Sequence, residues 1–480
     1  MEEKKLAGLE PKAVFEYFEA LCAIPHGSHN TKAISDFLVD FAKKQQIRYI
    51  QDESNNIILF ADGTSGLEGH EPVVLQGHMD MVCEKDEGCP IDMDTQGLDL
   101  CHDNLCVFAK GTTLGGDDGI AVAYAMALIA DRTIPHPPLE VIITVDEEVG
   151  MLGADVIDVS MLKGRKMINL DSEDEGIFTV ACAGGATATI SLNVNRKAVY
   201  GPCVRLCVDG LRGGHSGAEI HKNRANANKV MGEFMSRILK LMPLCLTSFS
   251  GGNKDNAIPY ACQANVVAMG IGLERINEIA TQLQAEIREQ YDEPEASVQA
   301  YDVDALGGNS LTTEDTTRVV SLLCALPNGV QGYSADMPGL VETSLNLGIA
   351  KLGEMFTVTF SVRSSVNQKK EELLEQLKKL SDFYDGIYSQ SGEYPAWEYC
   401  KNSVLRDTMV KTYSEMFGEE PKVLAIHAGL ECGLLSEKLP GLDAVSIGPQ
   451  MHDIHTSRER LEIASTGRVW RFLCKVLSEL

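Results

Sequence analysis

Hydrophobic positions in the first third of the chain alternate between a helical and a strand-like spacing. Residues 11–24 and 31–45 repeat apolar side chains every three or four positions, which predicts two amphipathic helices. A further buried helix is expected over about 120–130, and short apolar runs predict buried strands. The predicted strands are 55–61, 72–82, 139–145 and 166–170. This alternation predicts an α/β fold, a mostly parallel sheet flanked by helices.

The middle of the chain has a different pattern, which predicts an inserted domain. From about Thr187, apolar and polar residues alternate in the two-residue period of half-buried strands. Mixed strands and helices with hairpin-like links are typical of an α+β domain. The predicted strands are 186–195, 203–210, 262–272, 343–352 and 355–365, and the predicted helices are 223–241, 275–290, 313–326 and 369–384. We therefore expect residues 187–398 to interrupt the α/β domain.

The last part of the chain returns to the first pattern. A helix over 404–417, a strand over 423–428, a helix, a strand over 442–448 and a helix over 464–477 are expected. The simplest architecture is one α/β domain made of residues 1–186 and 399–480, with the α+β domain inserted between these segments.

Charge and composition exclude several classes of protein. The 480 residues are 44% hydrophobic and carry a net charge of −27, which disfavours nucleic acid and anionic membranes as partners. No segment has the roughly 20 apolar residues that cross a bilayer. The N-terminus has no signal-peptide pattern, and the 14 cysteines include no CxxC pair. We expect a cytoplasmic protein with reduced cysteines.

Polar residues of chemical interest stand where the predicted strands end. His78 and Asp80 close one strand, the acids at 146–148 close a second, and Asp171 closes a third. Because ligands of α/β sheets gather at the carboxyl ends of strands, these residues are expected at one edge. His78 and Asp80 point to the same face, so the carboxylate can orient the imidazole. Solvated strand-end residues are the alternative.

Two further segments suggest a pair of metal ions. In GTTLGGDDG (111–119), Asp117 or Asp118 either caps the following helix or bridges two cations. In TVDEEVG (144–150), one glutamate can bind a metal ion while its neighbour acts as general base. Near the C-terminus, His452 and His455 compete as a further ligand.

Taken in order, the motifs HxD, GGDDG, DEEVG, NLDSED, GGHSG and a late histidine resemble a known family. They are similar to those of the co-catalytic zinc peptidases, which include aminoacylases, glutamate carboxypeptidase and carnosinases. Within that family, the resemblance is greatest to the bacterial aminoacyl-histidine dipeptidases. It extends from the opening helices to the final HTSRERLEI. It implies a zinc-exopeptidase-like catalytic domain with an inserted lid domain.

The resemblance also implies roles for residues at the strand ends. Two divalent ions are expected, with zinc favoured over manganese or cobalt. Asp80 would orient His78, Glu147 would be the general base, and the Asp117–Asp118 peptide bond would be cis. Asp118 stands where relatives often have asparagine, and its side chain is not expected to be a ligand. The implied metal ligands are His78 and Asp171 on one ion, Glu148 and His455 on the other, and Asp117 on both.

Further implied residues concern the substrate. His215, in GGHSG, would stabilise the oxyanion of the tetrahedral intermediate. Asn256 and Arg363 would grip the substrate, since an arginine fork suits a peptide carboxylate. Glu431 would meet the substrate's amino group. A homodimer is compatible with the resemblance, and the oligomeric state decides whether His215 serves its own chain or a partner.

The function implied is a dipeptidase of broad specificity, including Xaa-His dipeptides, in which activated water attacks the peptide bond directly. One alternative is an aminoacylase-type amidohydrolase of N-acyl amino acids. The other is a non-catalytic metal- or peptide-binding protein on the same scaffold. The long insertion favours the dipeptidase, and the intact Glu147–Glu148 pair argues against the binding protein.

Overall fold

The computed structural model describes residues 4–303 and 307–480, which pack into two compact units. The first unit contains the chain up to Ala181 together with Tyr399–Ala425 and Leu430–Leu480. The second contains Cys182–Glu398 and Ile426–Gly429. Assigning a catalytic role to one unit and a lid role to the other stays a prediction.

The first segment of the chain supplies four helices and eight strands. The helices are α1 (Lys12–Cys22), α2 (Lys32–Gln45), α3 (Gly116–Ala130) and α4 (Leu152–Val156). The strands are β1 (Arg48–Gln51), β2 (Ile57–Ala61), β3 (Val73–His78), β4 (Leu100–His102), β5 (Cys106–Ala109), β6 (Leu139–Thr144), β7 (Lys166–Asn169) and β8 (Ile177–Cys182).

The second unit adds thirteen strands, four α-helices and one short 3₁₀ helix (Ile220–Lys222) within the described ranges. The helices are α5 (Ala227–Leu239), α6 (Leu273–Tyr291), α7 (Thr313–Ala325) and α8 (Asn367–Phe383). The strands are β9 (Gly184–Asn193), β10 (Arg196–Tyr200), β11 (Cys203–Asp209), β12 (Gly214–His215), β13 (Leu244–Gly251), β14 (Ala257–Ile258), β15 (Cys262–Ala268), β16 (Ser297–Val303), β17 (Gly307–Leu311), β18 (Gly329–Tyr333), β19 (Val341–Leu352), β20 (Met355–Ser364) and β21 (Gly386–Tyr394).

The C-terminal segment completes the first unit. Its helices are α9 (Val404–Phe417), α10 (Glu431–Lys438) and α11 (Ile463–Leu477). Its strands are β22 (Lys422–Ile426), β23 (Asp443–Ser446), β24 (Met451–His452) and β25 (Arg460–Glu462).

The main sheet of the first unit has eight strands in the order β1-β2-β6-β3-β7-β23-β8-β22. Its four central strands, β6, β3, β7 and β23, run parallel. The expected mostly parallel sheet is correct only for this centre, because β1 and β2 form an antiparallel hairpin and β2 pairs antiparallel with β6. Strand β8 also pairs antiparallel with β23. The sheet is therefore mixed, with a parallel core.

Helix α3 is the buried centre of the first unit. Every residue from Gly116 to Ile129 is buried, which explains the uninterrupted apolar sequence of this helix. Tyr124 stacks on Trp470 of α11 with ring centroids 5.9 Å apart, and its hydroxyl donates to the Thr466 carbonyl at 2.9 Å. The middle of α3 is thereby fixed against the C-terminal helix.

A second, four-stranded antiparallel sheet in the first unit has the order β24-β25-β5-β4. Leu461 and Glu462 of β25 pair with Val107 and Cys106 of β5. This small sheet joins the segment that precedes the glycine-rich loop at 111–119 to the segment that carries His455.

The second unit is built on a nine-stranded sheet with the order β16-β11-β15-β13-β19-β20-β9-β21, and β18 also pairs with β19. Its neighbouring strands pair antiparallel, as expected for an α+β domain. Phe234, Phe249, Phe356 and Phe360 lie in the core that its helices form on this sheet. Over the described ranges of both units, no helix combines the length and apolar content that a bilayer crossing requires.

Candidate metal centre

The ends of three neighbouring parallel strands bring acids and a histidine to one edge of the sheet. Strand β3 ends at His78, and β6 and β7, which flank it, end two residues before Asp146 and Asp171 respectively. Because the three strands run parallel, their carboxyl ends share an edge. Helix α3 packs on β3 and begins at the same edge with the GGDDG segment.

Asp117 lies between two imidazoles. Its Oδ1 is 3.1 Å from Nε2 of His78, and its Oδ2 is 3.1 Å from Nε2 of His455. One carboxylate oxygen therefore faces each histidine, as the bridging role requires. The peptide bond between Asp117 and Asp118 is cis, as the resemblance implied.

Two further acids complete a set of ligand atoms on each side of Asp117. Oδ1 of Asp171 lies 3.7 Å from Nε2 of His78, and Oε1 of Glu148 lies 2.9 Å from Nε2 of His455. Three overlapping groups have ligand atoms within 4.8 Å of one another: His78 with Asp118 and Asp171, His78 with Glu147 and Glu148, and Asp117 with Glu148 and His455. The predicted ligands and the predicted general base thus lie together.

Asp118 is also close to this cluster. It is fully buried, its Oδ2 accepts the backbone N–H of His78 at 3.2 Å, and its Oδ1 has no hydrogen-bond partner among the described residues. The capping alternative is not realised, because no side chain of the GGDDG segment caps α3 at its Gly115 N-cap.

Asp80 connects the ends of two strands as well as orienting a histidine. Nδ1 of His78 lies 3.0 Å from the Asp80 backbone oxygen and 3.5 Å from its carboxylate. The same carboxylate accepts the backbone N–H groups of Glu147 at 3.1 Å and Glu148 at 3.4 Å, and the hydroxyl of Ser28 at 2.8 Å. Asp80 therefore positions the backbone of both glutamates, and Ser28 was not foreseen because its neighbours HGSHN form no recognised motif.

Crowding of charge shifts the pKa values of these groups strongly. Burial raises the pKa of Asp117, but hydrogen bonds from His455 and His78 outweigh it and bring the pKa well below its usual range. Hydrogen bonds to Asp117 and Glu148 raise the pKa of His455 to about 10. Burial, with repulsion from Glu148 and Asp117, raises the pKa of Glu147 to about 7 despite the opposing effect of His78. The cluster thus attracts positive charge.

The structure separates the two competing C-terminal histidines. His455 lies beside Asp117 and Glu148, whereas Nε2 of His452 is 2.8 Å from Oε1 of Glu462. His455 is therefore the histidine that the structure brings into the cluster.

Glu431 lies inside the first unit. Its side chain is fully buried and its Oε2 accepts hydrogen bonds from Nε2 of Gln76 at 2.5 Å and Oγ1 of Thr144 at 2.6 Å. Gln76 in turn accepts from Asn169, so the network joins β3, β6 and β7 just before their carboxyl ends. This position gives no support to the predicted contact with a substrate amino group.

The remaining predicted residues belong to the second unit. His215 is an exposed residue of β12. Its Nδ1 accepts the backbone N–H groups of Gly217 at 3.2 Å and Ala218 at 3.1 Å. Because Nδ1 is an acceptor, the neutral ring carries its proton on Nε2. Burial and the charge of Arg363 lower the pKa of His215, which favours that neutral form.

Arg363 belongs to a polar group on the sheet of the second unit. Its Nη1 donates to the hydroxyl of Tyr394 at 3.1 Å, and its buried Nε has no partner among the described residues. Ser344 pairs with Arg363 in the ladder between β19 and β20, and its hydroxyl is 2.7 Å from Nε2 of His427. Burial and Arg363 lower the pKa of His427 to about 4. No sequence motif pointed to His427, which lies in a segment of strand-like residues.

Asn256 is half-buried, next to β14. Its backbone oxygen accepts the N–H of Ser216 at 2.8 Å, and its own N–H donates to the Asp255 carboxylate at 2.9 Å. The segment that carries Asn256 is therefore bonded to the residue that follows His215.

Comparison with known proteins agrees with this geometry. The chain is 34% identical over 481 residues to the cytosol non-specific dipeptidase of Escherichia coli (strain K12), covering 99% of each protein. Its structure is similar to that of aminoacylhistidine dipeptidase from Vibrio alginolyticus, with a TM-score of 0.94, 32% identity, and 99% of this chain and 98% of that chain covered. Aminopeptidase PepT from Bacillus cereus shares the fold, with a TM-score of 0.56 and 15% identity over 98% of this chain and 99% of that one.

A family model supports the assignment over most of the sequence. The model of peptidase family M20/M25/M40 matches residues 74–479, a range that begins within strand β3 and includes every residue of the three candidate ligand groups. With this match and a whole-length relative above 30% identity, the chain belongs to peptidase family M20/M25/M40.

Proposed function

We propose that the chain is a dipeptidase of broad specificity that uses two divalent metal ions and accepts Xaa-His dipeptides among its substrates. The observation that carries the proposal is the position of Asp117, with one carboxylate oxygen 3.1 Å from His78 and the other 3.1 Å from His455. The whole-length similarity to two dipeptidases supports the choice of substrate class.

The residues present fit a pair of divalent ions. His78 and Asp171 would hold one ion, Glu148 and His455 the other, and Asp117 would bridge them, because ligand atoms of each set lie within a few ångströms. Mixed imidazole and carboxylate ligands suit zinc, and also manganese or cobalt. When bound, such ions would lower the pKa of a water molecule and so supply a nucleophile near neutral pH.

Glu147 is the proposed general base. One of its carboxylate oxygens lies within 4.8 Å of ligand atoms of His78 and Glu148, so it can reach a water held at the same edge. It would take the proton from the attacking water and return it to the amine nitrogen when the C–N bond breaks. Asp80 holds the backbone of this residue, because its carboxylate accepts the N–H of Glu147.

Three further residues are proposed to bind the substrate. The Nε2–H tautomer of His215 is a hydrogen-bond donor, which is the form required to stabilise an oxyanion. Arg363 has unpaired donor capacity suited to the carboxylate of a dipeptide, and Asn256 is proposed as a further contact. These three roles rest on the resemblance and on the local bonding of each residue. The name of the Escherichia coli relative also suggests the cytosol as the site of action.

A substrate comparison tests the proposal. Enzyme loaded with zinc, manganese or cobalt should hydrolyse unblocked dipeptides, including Xaa-His, with higher kcat/KM than N-acyl amino acids. Preference for the blocked compounds would indicate an aminoacylase instead. If no dipeptide is cleaved with any of the three metals, the chain is a binding protein on this scaffold.

A matched variant tests the chemistry. Glu147→Gln should lower kcat by about 10²–10⁴-fold, which is the usual contribution of a general base, while metal content stays near two ions per chain. Glu289→Gln, on the exposed face of α6, is the control and should retain full activity. Retention of activity in Glu147→Gln would assign the base elsewhere.

A further inference from the structure

A buried carboxylate outside both ligand sets contacts the loop that carries the bridging aspartate. Glu459 is only 3% exposed, and both of its oxygens face the start of α3. Its Oε2 accepts the backbone N–H groups of Leu114 at 2.7 Å and Gly115 at 3.1 Å. Its Oε1 accepts those of Gly116 at 2.8 Å and Asp117 at 3.4 Å. Four consecutive backbone donors therefore end on one side chain.

These donors need an acceptor that the loop itself does not provide. The first N–H groups of a helix have no partner within the helix, and the positive end of the helix dipole favours an anion. No side chain caps α3 locally, since its N-cap is Gly115 with φ of +67°. A Cβ atom on Gly116 would lie 3.2 Å from Oε1 of Glu459, tighter than ordinary contacts. The glycines thus allow the carboxylate to approach the backbone.

The segment that carries Glu459 also contains His455, four residues earlier. The backbone N–H of Glu459 donates to the Thr456 carbonyl at 3.1 Å, which closes a turn directly after His455. His455 has a φ of +57° and a side chain that is 45% exposed, so few neighbours restrain it. After the turn, β25 pairs with β5. The turn is therefore held between the small sheet and the loop that precedes α3.

We propose that Glu459 is a positioning residue that sets the distance between Asp117 and His455. By fixing two ligands from distant parts of the sequence, it would control the affinity of the ion that these residues and Glu148 hold. The other ion would depend on Glu459 less, because it shares Asp117 but its other two ligands are held elsewhere: His78 on β3, and Asp171 two residues after the end of β7. This inference rests on the two-ion site proposed above.

Glu459→Gln is the discriminating substitution, because it keeps the size of the side chain and removes half of its acceptor capacity. Its NH₂ group would face two of the four backbone N–H groups, donor against donor. Loss of such an outer contact to a ligand typically lowers metal affinity 10–100-fold. We expect that loss for one ion and a change below about threefold for the other. A side chain that only filled space would be replaced by glutamine without effect.

The test is calorimetric titration of chelated protein with zinc, supported by the visible absorption bands of cobalt at each site. In Glu459→Gln the ion at His78 and Asp171 should bind as in the wild type, and the ion at Glu148 and His455 should bind weakly. We expect kcat to fall and KM to stay within about twofold of the wild-type value. Glu459→Asp keeps the charge on a shorter side chain and should be intermediate. Glu462→Gln, on β25 three residues after Glu459 and paired with His452, is the matched control and should bind both ions normally.

The outcomes separate this inference from the proposed function. Two unaffected ions in folded Glu459→Gln, or equal weakening of both, would overturn the positioning role. Failure of both Glu459 variants to fold would assign Glu459 to global stability and would also overturn it. A wild-type protein that cleaves dipeptides but binds fewer than two ions would instead refute the two-ion site itself.

Discussion

At the scale of single residues, the candidate site depends on buried side chains whose partners lie far away in sequence. Asp80 accepts hydrogen bonds from Ser28 and from the backbone of Glu147 and Glu148, and Glu459 accepts four from the loop before α3. These contacts hold the candidate ligands in place without any ion. Buried polar groups that are fully bonded in this way rigidify a site.

Glu431 gives a prediction about pH. Burial, with repulsion from Glu147, raises its pKa to about 8, against a reference value of 4.5 in the unfolded chain. The folded chain therefore binds more protons between these two values, so stability present at low pH is lost as the pH rises through about 8. Glu431→Gln cannot ionise, while its amide oxygen can still accept from Gln76 and Thr144.

We expect the Tm of Glu431→Gln to rise relative to that of the wild type as the pH increases from 5 to 8.5. The corresponding free energy is on the order of a few kcal/mol. Differential scanning fluorimetry in chelator measures it, and chelation removes any contribution of metal ions. The pKa of Glu431 is also affected by Asp80, His78 and Glu147. Both proteins contain these three residues, so the comparison isolates the ionisation of Glu431. Parallel Tm curves for the two proteins would refute the raised pKa.

Sequence patterns pointed to the candidate ligands but not to the residues that hold them in place. His78, Asp117, Glu147, Glu148 and Asp171 stand beside glycines or at the ends of apolar runs, which are local signals. Glu459 stands in the polar stretch HTSRERLEI, where it resembles any exposed charge. Its importance comes from contacts with a backbone more than 300 positions away, and one sequence carries no trace of that pairing.

At the scale of elements, the packing of α3 against β3 determines where Asp117 lies. Gly77 of β3 faces α3, and a Cβ atom there would clash with the Asp118 carboxylate and lie 2.6 Å from the Cβ of Ala121. The absence of a side chain thus allows the helix to approach the strand next to His78.

Gly77→Ala should displace the start of α3 and disturb the metal site. We expect destabilisation of about 1–3 kcal/mol from overpacking, together with weaker metal binding. Denaturant unfolding of the metal-free protein and zinc titration measure the two effects. Gly69→Ala is the matched control, because a Cβ at that exposed position meets no atom within 4 Å. Equal behaviour of the two variants would show that the contact between α3 and β3 tolerates expansion.

The long helices were predictable from periodicity, whereas many strands were not. The helix predicted over 404–417 is α9 to the residue, since its apolar stripe is regular. The helix predicted from residue 223 begins at Ala227, because Asn226 caps it by accepting the N–H groups of Asn228 and Lys229. Strands β1, β4, β5 and β8 of the first unit were missed, and so were the longer strands β13, β16 and β21 of the second unit. β4 and β5 are only three and four residues long, and their pairing partners fix them more than their own sequence does.

At the scale of the whole molecule, every candidate ligand belongs to the first unit. Binding that is specific to the folded state stabilises it, by about 2.7 kcal/mol for each ion at 100 times its Kd. The acidic cluster should also lose mutual repulsion when cations bind. The effect of metal should therefore be concentrated in one of the two units.

Hydrogen exchange with and without chelator tests this expectation. Removal of metal should increase exchange in peptides from 111–119 and 447–459, while peptides from β9 and β20, in the core of the second unit, should change little. The latter peptides serve as the internal control within the same sample. Equal deprotection of both units would show that the ions stabilise the molecule as a whole.

The two-ion site bridged by Asp117 is tested most directly by anomalous diffraction at the zinc edge from crystals grown with zinc. We expect two peaks about 3.5–4 Å apart, one beside each carboxylate oxygen of Asp117. One peak should lie within bonding distance of His78 and the other within bonding distance of His455. If crystals of protein that cleaves dipeptides show a single peak, or peaks away from Asp117, the two-ion site is refuted.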